Sequence, residues 1–418
     1  MRITVHRGAE EIGGSCIEVA TDSTRLILDA GLPLDARADS AAHPLVPGLF
    51  SEGRAVDALL LSHAHADHSG LVSVSHPEVP VWLTDGTRQM LFAGASFARQ
   101  PAVPLDRQRT LHPGRPVRIG DFTVTAHLVD HSIYGAAAIL IEANGLRLLY
   151  SGDLRFHGRK FGMARQLVAA VRRGGLDALL LEGTRLGTRA SEENLTEEVL
   201  EQRILKQVRQ APGCVLAMYS PLNVDRFVTF FRVARRSGRI MVIDPYQAYV
   251  LHLLNRPTLP VPGKAADLQI MVPPRFNENA AGQAVAGSSF AEQLRGCQIT
   301  AAAVRANPQR FLVLYRESMR WWLFPRALPS QTLAFFSYWE GYLREPRLLS
   351  WAQQLKAAHG QLLPMHASGH AHPEGLREFA RAVRPRLLIP VHTAHAKSWR
   401  EWFQNTRVVR NGEEIRLL

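Results

Sequence analysis

Four side chains able to bind metal fall within six residues of the segment LLLSHAHADHSG: His63, His65, Asp67 and His68. Imidazole and carboxylate are the donors that suit zinc and other divalent ions. Side chains alternate along extended backbone, so His63 and His65 point to one side as the apolar strand ends. A turn then brings Asp67 and His68 to an adjacent position. A chance group of surface histidines is the bland alternative. Against it, the run closes a buried strand, where functional loops tend to sit.

Other candidate ligands also end strands. His131 follows FTVTAHLVD, Asp153 closes LRLLYSGD, His392 closes RLLIPVH and Asp29 closes RLILDAG. Taken singly, each reads as an ordinary strand-terminal residue. Together they supply two sites, one of His63, His65 and His131 and the other of Asp67, His68 and His392, with Asp153 bridging. Two ions ~3.5–4 Å apart can clamp the attacking and leaving oxygens of a phosphodiester and lower the pKa of bound water to ~7. His395 competes with His392, which is preferred because it directly ends the apolar strand.

Short strands rich in Val, Ile and Leu must carry these residues. They are RITVHR (2–7), SCIEVAT (15–21), RLILDAG (25–31), DALLLSH (57–63), FTVTAHLV (122–129), AAILIEA (137–143) and LRLLYSGD (146–153). The helix MARQLVAAVRRGG and the strand DALLLEG follow. Near residue 190 the pattern changes to alternating helices and strands, which predicts a parallel sheet. Asn194 is the expected cap of the first of these helices, with Glu197 three residues on. Residues 256–290, rich in Pro, Gly and Ala, read as irregular loop. After about 350, a helix, the run QLLPMH, a second helix and the strand RLLIPVH return to the earlier style. The expected organisation is a host domain at 1–190, an insert at 191–350 and completion of the host at 351–418.

The 418 residues, 46% hydrophobic and 21% charged, exclude a disordered or fibrous chain. No apolar run approaches the ~18 residues of a membrane span, and MRITVHRGAEEIGG lacks a secretory apolar stretch. Cys16, Cys214 and Cys297 are widely spaced and odd in number, which argues against a disulfide framework. The expectation is a reduced, cytoplasmic protein without membrane association. Net charge is +12, and only five of the 49 basic residues are lysine. Arginine's planar fork suits phosphate, although a GC-rich genome also produces this bias.

In order and context, Asp29, the H-x-H-x-D-H cluster, His131 and Asp153 resemble the metallo-β-lactamase superfamily, and EEIGGSCIEVATDSTRLILDAG resembles the opening of its nucleolytic branch. The resemblance implies an αββα sandwich with metals at the strand ends and an inserted α/β β-CASP domain. Three further motifs of that branch have matches. Glu182 in LLLEGT is similar to an acid that orients a metal-ligand histidine, His370 in HASGHA to the second motif, and His392 in PVHTAH to the third. A histidine at the third motif implies action on RNA. The H-x-S-G-H loop (His366, Ser368, Gly369, His370) resembles the ribonuclease J group, where it handles substrate phosphate. YSPLNVDRF is loosely similar to that group's Ser-Asn-x-x-Arg stretch through Asn223 and Arg226.

The sequence also departs from the group. HSIYGAAA, with Tyr134 and Gly135, replaces the usual proline and acid after the metal histidine. Residues 256–345 match nothing. The expected chain lacks the group's C-terminal domain, so oligomeric state does not carry over.

The resemblance thus implies a metal-dependent ribonuclease acting through a two-metal-bound hydroxide, with two divalent ions, zinc or alternatively manganese. Asp67 would ligate one ion and orient the hydroxide. His370 would hydrogen-bond a phosphate oxygen or protonate the leaving oxygen. Glu182 could equally cap a helix, His366 could simply pack, and Asp130 is either a support for His131 or a surface acid. Arg320-Trp321-Trp322-Leu323-Phe324 reads as a base-stacking run or as core. The partner expected is RNA. Single-stranded DNA, a small ester or lactone, and a catalytically silent RNA-binding subunit are the alternatives.

Overall fold

The computed structural model describes residues 1–34, 36, 42–100, 102–187, 193–286 and 288–417. The expected junction near residue 190 lies outside the described residues. Among them, the strands in chain order are Arg2–Arg7 (β1), Cys16–Ala20 (β2), Arg25–Leu28 (β3), Ala58–Leu60 (β4), Val81–Leu83 (β5), Gln108–Thr110 (β6), Val117–Ile119 (β7), Phe122–Leu128 (β8), Ala137–Ala143 (β9), Leu146–Tyr150 (β10) and Ala178–Glu182 (β11). Then come Val215–Met218 (β12), Ile240–Ile243 (β13), Leu268–Ile270 (β14), Phe311–Leu314 (β15), Leu333–Phe336 (β16), Gln361–Pro364 (β17), Leu387–Val391 (β18) and Glu414–Arg416 (β19).

The chain divides into two compact units, Met1–Glu193 with Gly369–Leu418, and Asn194–Ser368. The first unit holds two sheets, ordered β19-β1-β2-β3-β4-β5-β6 and β18-β11-β10-β9-β8-β7. They face each other as the expected αββα sandwich. Ile3, Val5, Ile17 and Leu28 of one sheet and Phe122, Ile139, Leu148 and Leu180 of the other share a single apolar cluster. In β1 the alternation is visible directly: Ile3 and Val5 are buried while Arg2 and Thr4 between them are less so. β10, β11 and β18 run parallel, so their carboxyl ends meet at one rim. β3 and β4 also run parallel. The helices Gly162–Arg172 and Pro373–Val383 pack against each other.

Glycine is required where that rim is tightest. Gly31 N–H donates to Ser15 O (2.9 Å), and Ser15 N–H donates to Asp67 O (3.1 Å). A Cβ on Gly31 would stand 1.7 Å from Asp67 O. Gly31→Ala must therefore shift backbone. We expect ~1–3 kcal/mol of destabilisation, the usual range for overpacking, read as a fall in urea midpoint at unchanged slope. An unchanged midpoint would mean that the Asp67 turn is looser than it stands.

The second unit has a six-stranded, wholly parallel sheet, ordered β14-β13-β15-β12-β16-β17. Several of its helices begin on side-chain caps. Thr196 accepts from Val199 N–H, Asn223 from Arg226 N–H and Asp244 from Gln247 N–H, with Pro245 in the first turn.

Several expectations are corrected here. The cap of Glu197–Gln210 is Thr196, not Asn194, because the helix starts after it. Residues 256–290 are not simply loop. They contain β14, the helix Ala280–Val285 and the start of Ser289–Gly296, whose Val285, Phe290 and Leu294 are buried. QLLPMH does not begin the returning host domain, since β17 pairs with β16 and the second unit runs on to Ser368. The three cysteines are unpaired. Among the described residues no helix is long and apolar enough to cross a membrane.

Candidate metal centre

The site is assembled at strand ends of the first unit. Asp29 follows β3 with φ +60°, a strained setting for a residue other than glycine. Its buried carboxylate accepts four hydrogen bonds, each of 2.7 Å, from Ser62 N–H, Ser62 Oγ, Tyr150 OH and His68 Nδ1. That fixes the His68 ring with Nδ1 engaged and Nε2 pointing away from Asp29. His68 itself lies on the one-turn helix Ala66–Ser69, which begins directly after His65.

The other histidines are held in the same manner. His131 Nδ1 donates to Gly369 O (2.6 Å). His392, after β18 and at φ +51°, places Nδ1 2.8 Å from Ser15 Oγ. His63 Nδ1 is 3.0 Å from Ser62 Oγ. In each case one ring nitrogen is anchored and the other turns inward.

The inward nitrogens converge. His63 Nε2 and His131 Nε2 each lie 3.1 Å from His65 Nδ1. Asp153, just beyond β10, sends Oδ2 to 3.1 Å from His68 Nε2, 3.6 Å from His63 Nε2 and 3.9 Å from His131 Nε2. Asp67 Oδ2 is 3.5 Å from His392 Nε2 and 3.9 Å from His68 Nε2. Three groups have donor atoms close enough together to hold an ion: His63, His65 and His131; Asp67, His68, Asp153 and His392; and Asp153, Glu182 and His370.

Divalent metal fits these residues. Both oxygens of Asp153, His68 Nε2 and His392 Nε2 are buried, and none makes a hydrogen bond among the described residues. Four such atoms facing one another would be a large uncompensated cost without a cation. Burial holds His63 and His131 well below the usual imidazole value and His65 at about 4, and it lowers His392, so these rings are neutral and able to ligate. His68 differs: burial lowers it, but Asp153, Asp67 and Asp29 outweigh that and hold it well above the usual value, so a cation there would have to displace its proton. Burial alone would raise Asp153, but the imidazoles of His392, His68 and His370 outweigh it and keep the carboxyl well below its ordinary range.

His370 and Glu182 form the remaining part of the site. His370 Nδ1 lies 3.3 Å from Glu182 Oε1 and 3.7 Å from Asp153 Oδ2. Burial lowers its pKa, yet the two carboxylates override that and push it up to about 9. Glu182, ending β11, also accepts from Thr184 N–H (2.9 Å). It therefore faces His370 rather than His63, His65, His68, His131 or His392.

The rest of the expected residues divide between the two units. Gly369 receives His131 through its carbonyl. His366 and Ser368 belong to the second unit, where His366 Nδ1 lies 3.1 Å from Ser337 O. Asn223 caps a helix and Arg226 is fully buried in an ion pair with Glu197, so both stand in the framework of that unit. Asp130 is buried, accepting from Arg155 Nε (2.9 Å) and Lys160 N–H (2.8 Å) and so anchoring the loop that bears His131. His395 is exposed and joins no candidate group. Trp321 is exposed beneath the Arg320 guanidinium, whereas Leu323 and Phe324 are core.

Sequence reasoning missed Ser15, Ser62 and Tyr150. A serine or tyrosine at a strand end carries no signal of its own, and only the partner across the sheet gives it a role.

The sequence profile of the β-lactamase superfamily domain matches residues 24–223, the span that carries Asp29, the histidine cluster, His131, Asp153 and Glu182. That stretch, just under half of the chain, carries a β-lactamase superfamily domain. It is 22% identical to an RNase J-like protein of Methanocaldococcus jannaschii over 58% of this chain and 56% of that protein. It is 24% identical to ribonuclease J of Sinorhizobium meliloti over 90% of this chain and 65% of that one. It is 25% identical to the transcription termination factor FttA of Methanothermobacter thermautotrophicus over 60% and 42%. The chain spans about half the length of the curated relatives it matches. A crystal structure of an Enterococcus faecalis protein of unknown function has the same fold, with TM-score 0.79 and 21% identity over 99% of both chains.

Proposed function

We propose that this chain is a metal-dependent ribonuclease that hydrolyses RNA phosphodiester bonds. The observation that carries the reading is the convergence of six buried or half-buried donor residues around Asp153, with His370 beside them on Glu182. The names of the ribonuclease J relatives, the histidine at position 392 and the net charge of +12 support RNA as substrate.

In this reading His63, His65 and His131 would hold one ion, Asp67, His68 and His392 the other, with Asp153 available to both. The histidine-rich set favours zinc, and manganese is compatible with it. Divalent ions bound there supply Lewis acidity toward phosphate and lower the pKa of water. The Asp67 side chain, more open to solvent than the other ligands, accepts a hydrogen bond from the attacking water. With Nδ1 of His370 turned to Glu182, Nε2 is the atom that delivers a proton to the leaving oxygen. Asp29, Ser15 and Ser62 keep the imidazoles aimed. His366, Ser368 and Gly369 are proposed to contact substrate phosphate. The widely spaced, unpaired thiols suit a reducing, cytoplasmic setting.

The test incubates zinc- or manganese-loaded protein with matched single-stranded RNA and DNA, each labelled at one end, beside a His65→Ala, Asp67→Ala double variant. RNA cleavage that the variant lacks is expected. Preferential cutting of DNA would overturn the substrate assignment. Absence of any cutting at two bound ions per chain would overturn the nuclease reading and direct the search to small esters.

A further inference from the structure

The second unit contains a cleft of about 570 Å³, lined entirely by its own residues. It opens at the carboxyl ends of β12, β15 and β16, through Met218 and Ser220, Tyr315 to Ser318, and Phe336 and Tyr338. In this sheet β13 and β15 lie to one side of β12, and β16 lies to the other. Successive strands thus pass to opposite sides, and their outgoing loops diverge above β12. Parallel α/β sheets take ligands in such crevices. The volume falls within the usual range for a small organic ligand.

The lining selects the chemistry. Tyr338 is half-buried, with its ring 5.6 Å from that of Phe336. Tyr342 is 48% exposed and stands edge-on to Trp339, 5.5 Å away. These rings offer flat apolar faces of the size of a base. The charges around them cancel: Arg316 and Arg347 line the cleft together with Glu317 and Glu345. Arg347 Nε already donates to Glu345 (2.8 Å), and Arg316 Nη2 sits 2.5 Å from Asp244 Oδ2. A phosphate-rich ligand would meet carboxylates here, so the site is not built for one. A neutral ring with both donors and acceptors on its edge can use carboxylate and guanidinium together. The Arg316 side chain is 31% exposed, so part of its guanidinium is open to the cleft although Nε and Nη2 are buried.

We propose that this cleft binds a nucleobase, stacked on Tyr342 and Tyr338 and hydrogen-bonded at its edge by Arg316 and Glu317. A base could come from a free mononucleotide or from an RNA strand. The proposal rests on the ribonuclease reading only for the second source.

The test is isothermal titration calorimetry on the full chain with EDTA present, so that no strand is cut. The titrants are guanosine and uridine 5′-monophosphates, ribose 5-phosphate, and an RNA trinucleotide. Saturable binding of at least one nucleotide is expected, with ribose 5-phosphate at least about tenfold weaker. Tyr342→Ala should weaken nucleotide binding about fivefold or more, because one stacking face is lost, and Tyr342→Phe should preserve it. Tighter binding of the trinucleotide than of either mononucleotide would assign the site to RNA, and the reverse order to free nucleotide. Either order supports a base site. The proposal fails if no nucleotide or trinucleotide binds saturably, if ribose 5-phosphate binds as well as the nucleotides, or if Tyr342→Ala leaves affinity unchanged. Since cleavage is not measured, these results stand apart from the RNA and DNA assay. A protein that cuts RNA yet binds no base would lose this inference alone.

Discussion

Asp153→Asn is expected to lower RNA cleavage on the order of 10³-fold and to reduce metal content per chain. Both outcomes share one cause. Asp153 is common to two of the three donor groups, and its Oδ2 stands within 3.9 Å of ring nitrogens from His63, His68 and His131. Asparagine keeps the size and removes the negative charge. Loss of a partner that merely orients a ligand typically costs 10–100-fold, and loss of the central donor should exceed that. Because the surrounding imidazoles hold the Asp153 carboxyl well below its ordinary range, the variant should also lose stability in the metal-free protein at neutral pH. Metal analysis and end-label cleavage, with thermal melts in EDTA to follow stability, check these outcomes. Full metal occupancy with near-normal cleavage would remove Asp153 from the centre.

How much of this could be read in the sequence depends on the range of the interaction. Strands such as β1, β8, β9 and β10 are five to seven residues long and rich in apolar residues, and their expected spans differ from those found by little at either end. β5, β6 and β7 have three residues each, too few to show a period, and only their neighbours in the sheet make them strands. The ligand types stood out because four lay together in the chain. The residues that aim them did not. Ser15 is far from His392 in sequence, and Asp29 gathers Ser62 and His68 from one distant segment and Tyr150 from another. Nor does spacing distinguish an acid that supports a ligand from one that charges His370, which is where Glu182 stands. The end of the inserted unit was misplaced for a similar reason. QLLPMH resembles any apolar run, and its pairing with β16 decides which sheet it joins.

Arg226→Met is expected to cost the second unit ~3–5 kcal/mol, a larger loss than its exposed ion pairs could produce, because one partner of a buried pair is removed while the other stays. Arg226 and Glu197 both have side chains 0% exposed to solvent, with Nη2 3.1 Å from Glu197 Oε1. The same guanidinium reaches Ser337 through Nη1 and Ala367 O through Nη2 (3.0 Å). Thr229 Oγ1 donates to Glu197 Oε2 at 3.0 Å. Methionine would remove the guanidinium that Glu197 faces while its carboxylate stays fully buried. A Glu197→Gln, Arg226→Met double variant should recover part of the loss, since the stranded charge is gone. Chemical denaturation of the two single variants and the double measures that coupling. A loss below ~1 kcal/mol for Arg226→Met, or a double variant as weak as the sum of the singles, would show that the pair is not the restraint its geometry implies. The consequence extends to the loop that holds His366 and Ser368. Ala367 lies between them and is fixed by Arg226, so release of its carbonyl should raise KM for RNA more than it lowers kcat. The resemblance of YSPLNVDRF to a motif of nucleic-acid enzymes then has a physical content: the arginine holds the loop from behind rather than touching substrate.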